Sequence, residues 1–229
     1  MKTNVLFVTY YWPPSGGAGV QRVLKFIKYL PEYGIAPHVL TVENPTYSII
    51  DETLRKDLPE GVPVYRSRSF EPFALYAALS NEQISEVAKP TTRLTQTEGV
   101  FSRLASWIRA NLFIPDARVG WMLTARRKAL QIARKHQIDA VITSGPPHSV
   151  HFVGKKLKKK LGIRWVADFR DPWTKIYYNQ LRPRTKPARL LDLKLERSVL
   201  KSADSVPVIS PSMVRLQKKI YDRRYTVIT

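Results

Sequence analysis

Three short stretches carry residue types that do chemistry, at spacings that let them act together. The first is PPSGGAGVQR at residues 13–22. Gly16, Gly17 and Gly19 ahead of a helix let backbone N–H groups approach an anion, and the positive end of the helix favours negative charge there. Arg22, in the first turn, adds a formal charge. The second is TSGPPHS, which puts His148 at or just before a helix start. An imidazole there can donate to a phosphate or a sugar hydroxyl; capping or packing is an equally open reading. The third is DFRDPW, with Asp168, Arg170, Asp171 and Trp173 close together. Two carboxylates flanking an arginine can be a purely structural cluster. With a tryptophan they also suit carbohydrate, the ring covering the sugar's apolar face while the acids accept from its hydroxyls.

The elements that position these stretches follow from hydrophobic period. Val5–Thr9 reads as a buried parallel strand. Residues 20–30 set Val20, Val23, Leu24, Ile27 and Leu30 on one helical face, with Arg22, Lys25 and Lys28 opposite. Gly34 suits the left-handed cap of that helix. Strands are expected at 38–42 and 62–65. From Ser67 to about Pro115 the rhythm fails, and an irregular insertion at 67–115 is expected. It holds two amphipathic stretches, Phe70–Leu79 and Val100–Ile114, the latter with Trp107. Between them lies a polar stretch, 81–99.

Beyond it the alternation returns. Helices are expected at about 120–136, 150–161, 188–202 and from Ser210 to Ile220, with strands at 140–143, 164–167, 206–209 and 225–228. This alternation predicts an α/β parallel sheet with right-handed crossovers, helices on both faces, in a single domain over 1–229. Each of the three chemical stretches follows a strand, so they should converge on one edge of the sheet.

Composition narrows the partners. The chain has 38 Lys+Arg against 18 Asp+Glu, a net charge of +20. The first hundred residues balance at ten of each sign, so the whole excess lies in 101–229. A basic half predicts an anionic partner: phosphate, nucleic acid or an acidic membrane. The densest run is KKLKKKLG at 155–162, joined by Arg126, Arg127, Lys128, Arg134, Lys135 and the RPRTKPAR connector at 182–189. No helix-turn-helix, RNA-binding motif or zinc finger accompanies the charge, so nucleic acid is not the expected partner. There is no cysteine, and the four histidines form no metal pattern, so no metal site is expected. No run approaches 18 uncharged apolar residues, and residues 5–12 enter PPSGG instead of a small-residue cleavage site. A cytoplasmic location fits.

Two readings compete for the first loop. A dinucleotide site needs G-x-G-x-x-G, but GAGVQR has Arg22 at the third small position and follows a long loop. Glu43, at the end of the second strand, does stand where such a site places its ribose-binding acid. An NAD(P)-dependent oxidoreductase domain is therefore one alternative. A non-enzymatic module that binds membrane or nucleic acid is another.

YYWPPSGGAGVQRVLKFIKYLPEYG, PDARVGW, ITSGPPHSVHFVGKKLKKKLGI and ADFRDPW together resemble the N-terminal half of family 4 glycosyltransferases of the GT-B fold, most closely the bacterial members that build surface polysaccharides. The resemblance runs over essentially the whole chain. It implies a Rossmann-like, acceptor-side domain facing a second, donor-binding domain across a cleft. It also implies retaining, metal-independent and cofactor-free transfer of a sugar from a nucleotide-sugar donor to a glycan acceptor, often lipid-linked.

By the same resemblance Gly16 and Gly17 approach the donor diphosphate, with Gly19, Arg22, Asp168, Arg170 and Trp173 as further substrate-binding candidates. His148 and Asp171 are the candidates for the histidine or acid beside the sugar. GGAGVQ replaces the family's more usual GGxE, so no role carries over to Gln21. The chain stops just after a strand, as a piece lacking the donor domain would, and alone it is expected to be inactive. Its basic half would then rest on the inner leaflet of the cytoplasmic membrane, with the Phe70 and Trp107 segments as interfacial helices.

Overall fold

The structure, a computed structural model, describes residues 2–45, 47, 49–70, 100–180 and 183–229. The expected amphipathic stretch after Phe70 and the polar stretch 81–99 lie outside the described residues, as do the side chains of Phe101, Arg103 and Leu104.

Among the described residues seven strands form one parallel sheet: β1 (Thr3–Val8), β2 (Ile35–Val42), β3 (Val64–Ser67), β4 (Ala140–Gly145), β5 (Arg164–Phe169), β6 (Pro207–Val208) and β7 (Thr226–Val227). Their spatial order is β3-β2-β1-β4-β5-β6-β7. The longer helices among the described residues are α1 (Ala18–Tyr29), α2 (Val100–Leu112), α3 (Trp121–Lys135), α4 (His151–Leu161), α5 (Lys186–Ser202) and α6 (Pro211–Lys218). This is the expected Rossmann-like α/β architecture.

Alternation along β1 explains why helices cover both faces. Val5 and Phe7 pack with Val20, Val23, Leu24 and Ile27 of α1. Leu6 and Val8 point the other way, into a cluster with Trp121, Ala125, Ala129 and Ile132 of α3 and Leu157 of α4. Successive strand side chains face opposite sides, so a continuous apolar run is buried twice over. Each such aliphatic side chain contributes about 1.5–3 kcal/mol on burial.

Local signals place the element ends. Gly34 takes the left-handed conformation at φ 74° after α1 and a 3₁₀ turn. Ser210 accepts from the Met213 N–H at 3.2 Å with Pro211 at the first helical position of α6. The third strand starts at Val64, two residues later than its β-branched pattern suggests. Pro63 has no N–H for the ladder and contributes only its carbonyl, which accepts from Val39.

The order of strands matters for the site. From β1 the chain runs outward to β2 and β3, then returns to β4 on the other side of β1. The loops leaving β1 and β4 therefore diverge to opposite faces and open a crevice at the carboxyl edge of the sheet.

Candidate functional site

The crevice is a cleft of about 220 Å³, lined by Tyr11 and by all three stretches: Ser15, Gly16 and Gly19 from the first, Pro146 from the second, Arg170 and Asp171 from the third. The strands that carry these loops, β1, β4 and β5, are neighbours in the sheet, so convergence follows directly from topology.

The first loop is held from outside. The Gly16 N–H donates to Ile49 O at 3.0 Å, and the Asp51 N–H donates to Pro14 O at 2.8 Å. Gly17 then caps α1 at φ 106°, a conformation that L side chains rarely adopt. No side chain caps this helix and its first turn holds no acid. The positive end of α1 is thus left without its usual protein partner.

Arg170 faces that helix end. Its Nε donates to Gly145 O at 3.3 Å and another guanidinium nitrogen donates to Pro146 O. Its Nη1 occupies the space a Cβ on Gly19 would need, 1.4 Å from that position. Gly19 is small because a guanidinium lies against it. Burial pulls the Arg170 pKa down from its ordinary value, while Asp168 and Asp171 act in the opposite sense. Asp171 lines the cleft, its pKa raised by burial and drawn back by Arg170.

The remaining candidates form the floor beneath the cleft. Asp168 is buried, accepts from the Ser144 hydroxyl at 2.7 Å and pairs with Arg22 at 2.9 Å. Arg22 also donates to Ile228 O at 2.8 Å and lies over the Phe26 ring. It stands where a dinucleotide fingerprint needs a small residue, and it is spent on Asp168. Glu43, the ribose-binding acid of that alternative, pairs instead with Arg68 at 3.5 Å.

Trp173 corrects the carbohydrate-stacking expectation. It is 1% exposed, donates through Nε1 to Asp192 at 2.7 Å, and stacks on His148 with ring centroids 5.1 Å apart. Its ring faces the interior and does not cover a sugar. His148 is likewise buried, and burial, aided by Arg170, lowers its pKa to about 3. The imidazole is neutral. His151 beside it is also held well below its ordinary value by burial, and its Nδ1 lies 2.9 Å from the Thr143 hydroxyl.

Sequence reasoning missed the scaffold around this floor. Arg184, expected on a basic surface connector, is buried: it pairs with Asp192 and donates to Ala110 O at 3.1 Å and to Pro115 O at 2.8 Å. Asp116 of PDARVGW accepts from the Ser149 N–H at 2.9 Å and hydroxyl at 2.8 Å, fixing the turn that carries His148. Thr174 donates to Glu196, which is fully buried with its pKa raised to about 7 by burial. Three charges of the basic run also have partners: Arg126 at Phe152 O, Lys155 at the Ser198 hydroxyl and Lys158 at Asp204. Among the described residues no group of His, Asp or Glu side chains could hold a metal.

Fold and cleft together define a Rossmann-like domain whose ligand edge carries a glycine-rich helix start facing an arginine. Residues 16–229 match the glycosyl transferase 4-like domain, and the chain belongs to that family. Comparison with curated proteins found no match. Among solved structures, Acinetobacter baumannii MurG is similar at 15% identity and a TM-score of 0.50, over 99% of this chain and 45% of that one. A UDP-glucosyltransferase from Polygonum tinctorium capable of glucosylating indoxyl is similar at 14% identity and a TM-score of 0.50, over 99% and 51%. These likenesses show the fold, that of GT-B glycosyltransferases, and the chain spans about half the length of those proteins. No helix among the described residues is long and apolar enough to cross a membrane.

Proposed function

We propose that the chain is the acceptor-side half of a retaining, hexosyl-type glycosyltransferase. It takes part in moving a sugar from a nucleotide-sugar donor to a glycan or lipid-linked acceptor in surface polysaccharide assembly, at the inner face of the cytoplasmic membrane. The carrying observation is the pair of positive groups across one cleft: the uncapped start of α1 and the Arg170 guanidinium. Two such groups set face to face favour an anion between them.

In glycosyl transfer the bond from the anomeric carbon to the diphosphate oxygen breaks, and negative charge grows on the leaving diphosphate. The acceptor oxygen forms the new bond and its proton passes to the leaving phosphate. The N–H groups around Gly17 and Gly19, with Arg170, would stabilise that growing charge in place before it develops, which is where fixed donors contribute most to rate. Asp171 is positioned to accept from a sugar hydroxyl in the cleft. His148 serves by packing, through Trp173 and Gly145, and not by proton transfer. Arg22 and Asp168 act as positioning residues. The second domain completes the donor side, so this chain alone is expected to be inactive.

The test is a donor screen on the full-length protein, with nucleoside diphosphate release and anomer configuration as readouts. Transfer from at least one nucleotide sugar with retention is expected. Release from none, or inversion, would refute the reading.

A further inference from the structure

Helix α5 is built inside out. Toward the sheet it turns Ala188, Asp192, Glu196 and Val199, and the two carboxylates are taken up there by Arg184, Trp173 and Thr174. Outward it turns Leu190, Leu191 and Leu193, which are 67%, 47% and 39% exposed. The charged residues exposed beside them are Lys186, Arg189, Lys194, Arg197 and Lys201, all basic. Single exposed leucines are ordinary. Three within four positions, bracketed by cations and with both acids of the helix withdrawn into the core, mark an interaction surface.

At helical spacing Lys186, Leu190, Leu193 and Arg197 fall along one stripe, with Leu191 and Lys194 beside it. The end of α2 is fixed against the head of this helix. The Asn111 side chain donates to Pro183 O at 2.9 Å and accepts from the Thr185 N–H at 2.8 Å. That brings two more exposed apolar groups to the region, Trp107 at 43% and Leu112 at 69%. On the other flank α4, joined to α5 through Lys155 and Ser198, exposes Lys159 and Lys160.

We propose that the outer face of α5, with the end of α2, docks this chain on an anionic lipid bilayer. This rests on the membrane reading above and names the element responsible, a different one from the Phe70 segment. The leucines and Trp107 enter the interface while the lysines and arginines meet acidic headgroups, as in helices that lie in the membrane plane. A lipid surface is favoured over a protein because every exposed charge of α5 has one sign, and headgroups neutralise them without requiring matched register.

The experiment is flotation of the full-length protein with vesicles of phosphatidylcholine alone or mixed with phosphatidylglycerol. One variant carries Leu190→Ser, Leu191→Ser and Leu193→Ser; a second carries Lys186→Gln, Arg189→Gln and Lys194→Gln. A control carries Lys25→Gln and Lys28→Gln on α1. Wild type and control are expected to float with the anionic vesicles and not with the neutral ones. Binding should fall about a hundredfold in the charge variant, at about a fivefold loss per basic residue, and at least about tenfold in the leucine variant. Unchanged melting temperatures would show that both variants fold.

Wild-type failure to float would overturn the membrane reading together with this assignment. Wild-type binding that the variants retain would overturn the assignment of α5 alone. A wild-type dimer that the leucine variant dissolves would overturn it in favour of a second copy of the chain.

Discussion

Two buried arginines, Arg170 and Arg184, sit in networks of similar make-up and opposite character. Arg184 is enclosed: its guanidinium is shared among Asp192, Ala110 O and Pro115 O, and Asp192 is further occupied by Trp173. Arg170 is anchored on one side by Gly145 O and Pro146 O, while its other side faces Gly19 and the cleft. The closed network ties α2, the 183–185 connector and α5 together. The open one holds charge at the edge of a crevice. The same chemistry is structural where every donor is satisfied within the protein and is available for a ligand where one side is left open.

Changes to the closed network should act on stability and changes to the open one on transfer. The largest effect is expected from Arg184→Met. It leaves Asp192 buried without its counter-charge and should cost about 3–5 kcal/mol in denaturant unfolding. Arg170→Met comes next, with sugar transfer by the full-length enzyme reduced about a hundredfold, which is about 2.7 kcal/mol of transition-state stabilisation. Gly19→Ala should reproduce this, because its Cβ displaces the Arg170 guanidinium. Full activity in Gly19→Ala would show that the close approach is dispensable. Trp173→Phe removes one hydrogen bond to Asp192 and should lower stability by about 1–2 kcal/mol while leaving donor KM unchanged. A raised donor KM would return the indole to the binding surface.

A last effect is in pH dependence. Glu196, raised to about 7, binds its proton more tightly folded than unfolded. Its contribution is complete below pH 4.5 and is lost as pH rises through about 7. His148, lowered to about 3, acts in reverse: its contribution is present above pH 6.5 and is lost as pH falls toward 3. Glu196→Gln removes the glutamate's opposing slope, so stability should climb with pH more steeply between 4.5 and 7 than in wild type. Parallel curves would show that Glu196 does not titrate in this range.

Hydrophobic period located β1, α1 and the strand–helix alternation, and chain order alone put the three site loops on one edge. What period does not reveal is which polar residue faces inward. Asp168 and Asp171 look alike in DFRDPW, yet Arg22, contributed by a helix 146 residues earlier, claims the first and leaves the second at the cleft. Trp173 reads as a sugar platform until Asp192, on a distant helix, is seen to receive its N–H. Helix α5 is the sharpest case. Leucine-rich helices ordinarily turn their leucines to the core, but here Arg184, Trp173 and Thr174 meet Asp192 and Glu196 on the sheet side, and the polar side turns inward. Local propensity is overridden wherever the partner arrives from another element.

The central claim is that Arg170 and the uncapped start of α1 form one anion site. Calorimetric titration of the full-length protein with UDP and GDP, at low and moderate salt, tests it most directly. Binding of at least one of them is expected, weakened at least about tenfold by Arg170→Met and equally by Gly19→Ala, with melting little changed in the latter. Equal affinity in wild type and Arg170→Met, or no binding of either nucleotide, would contradict it.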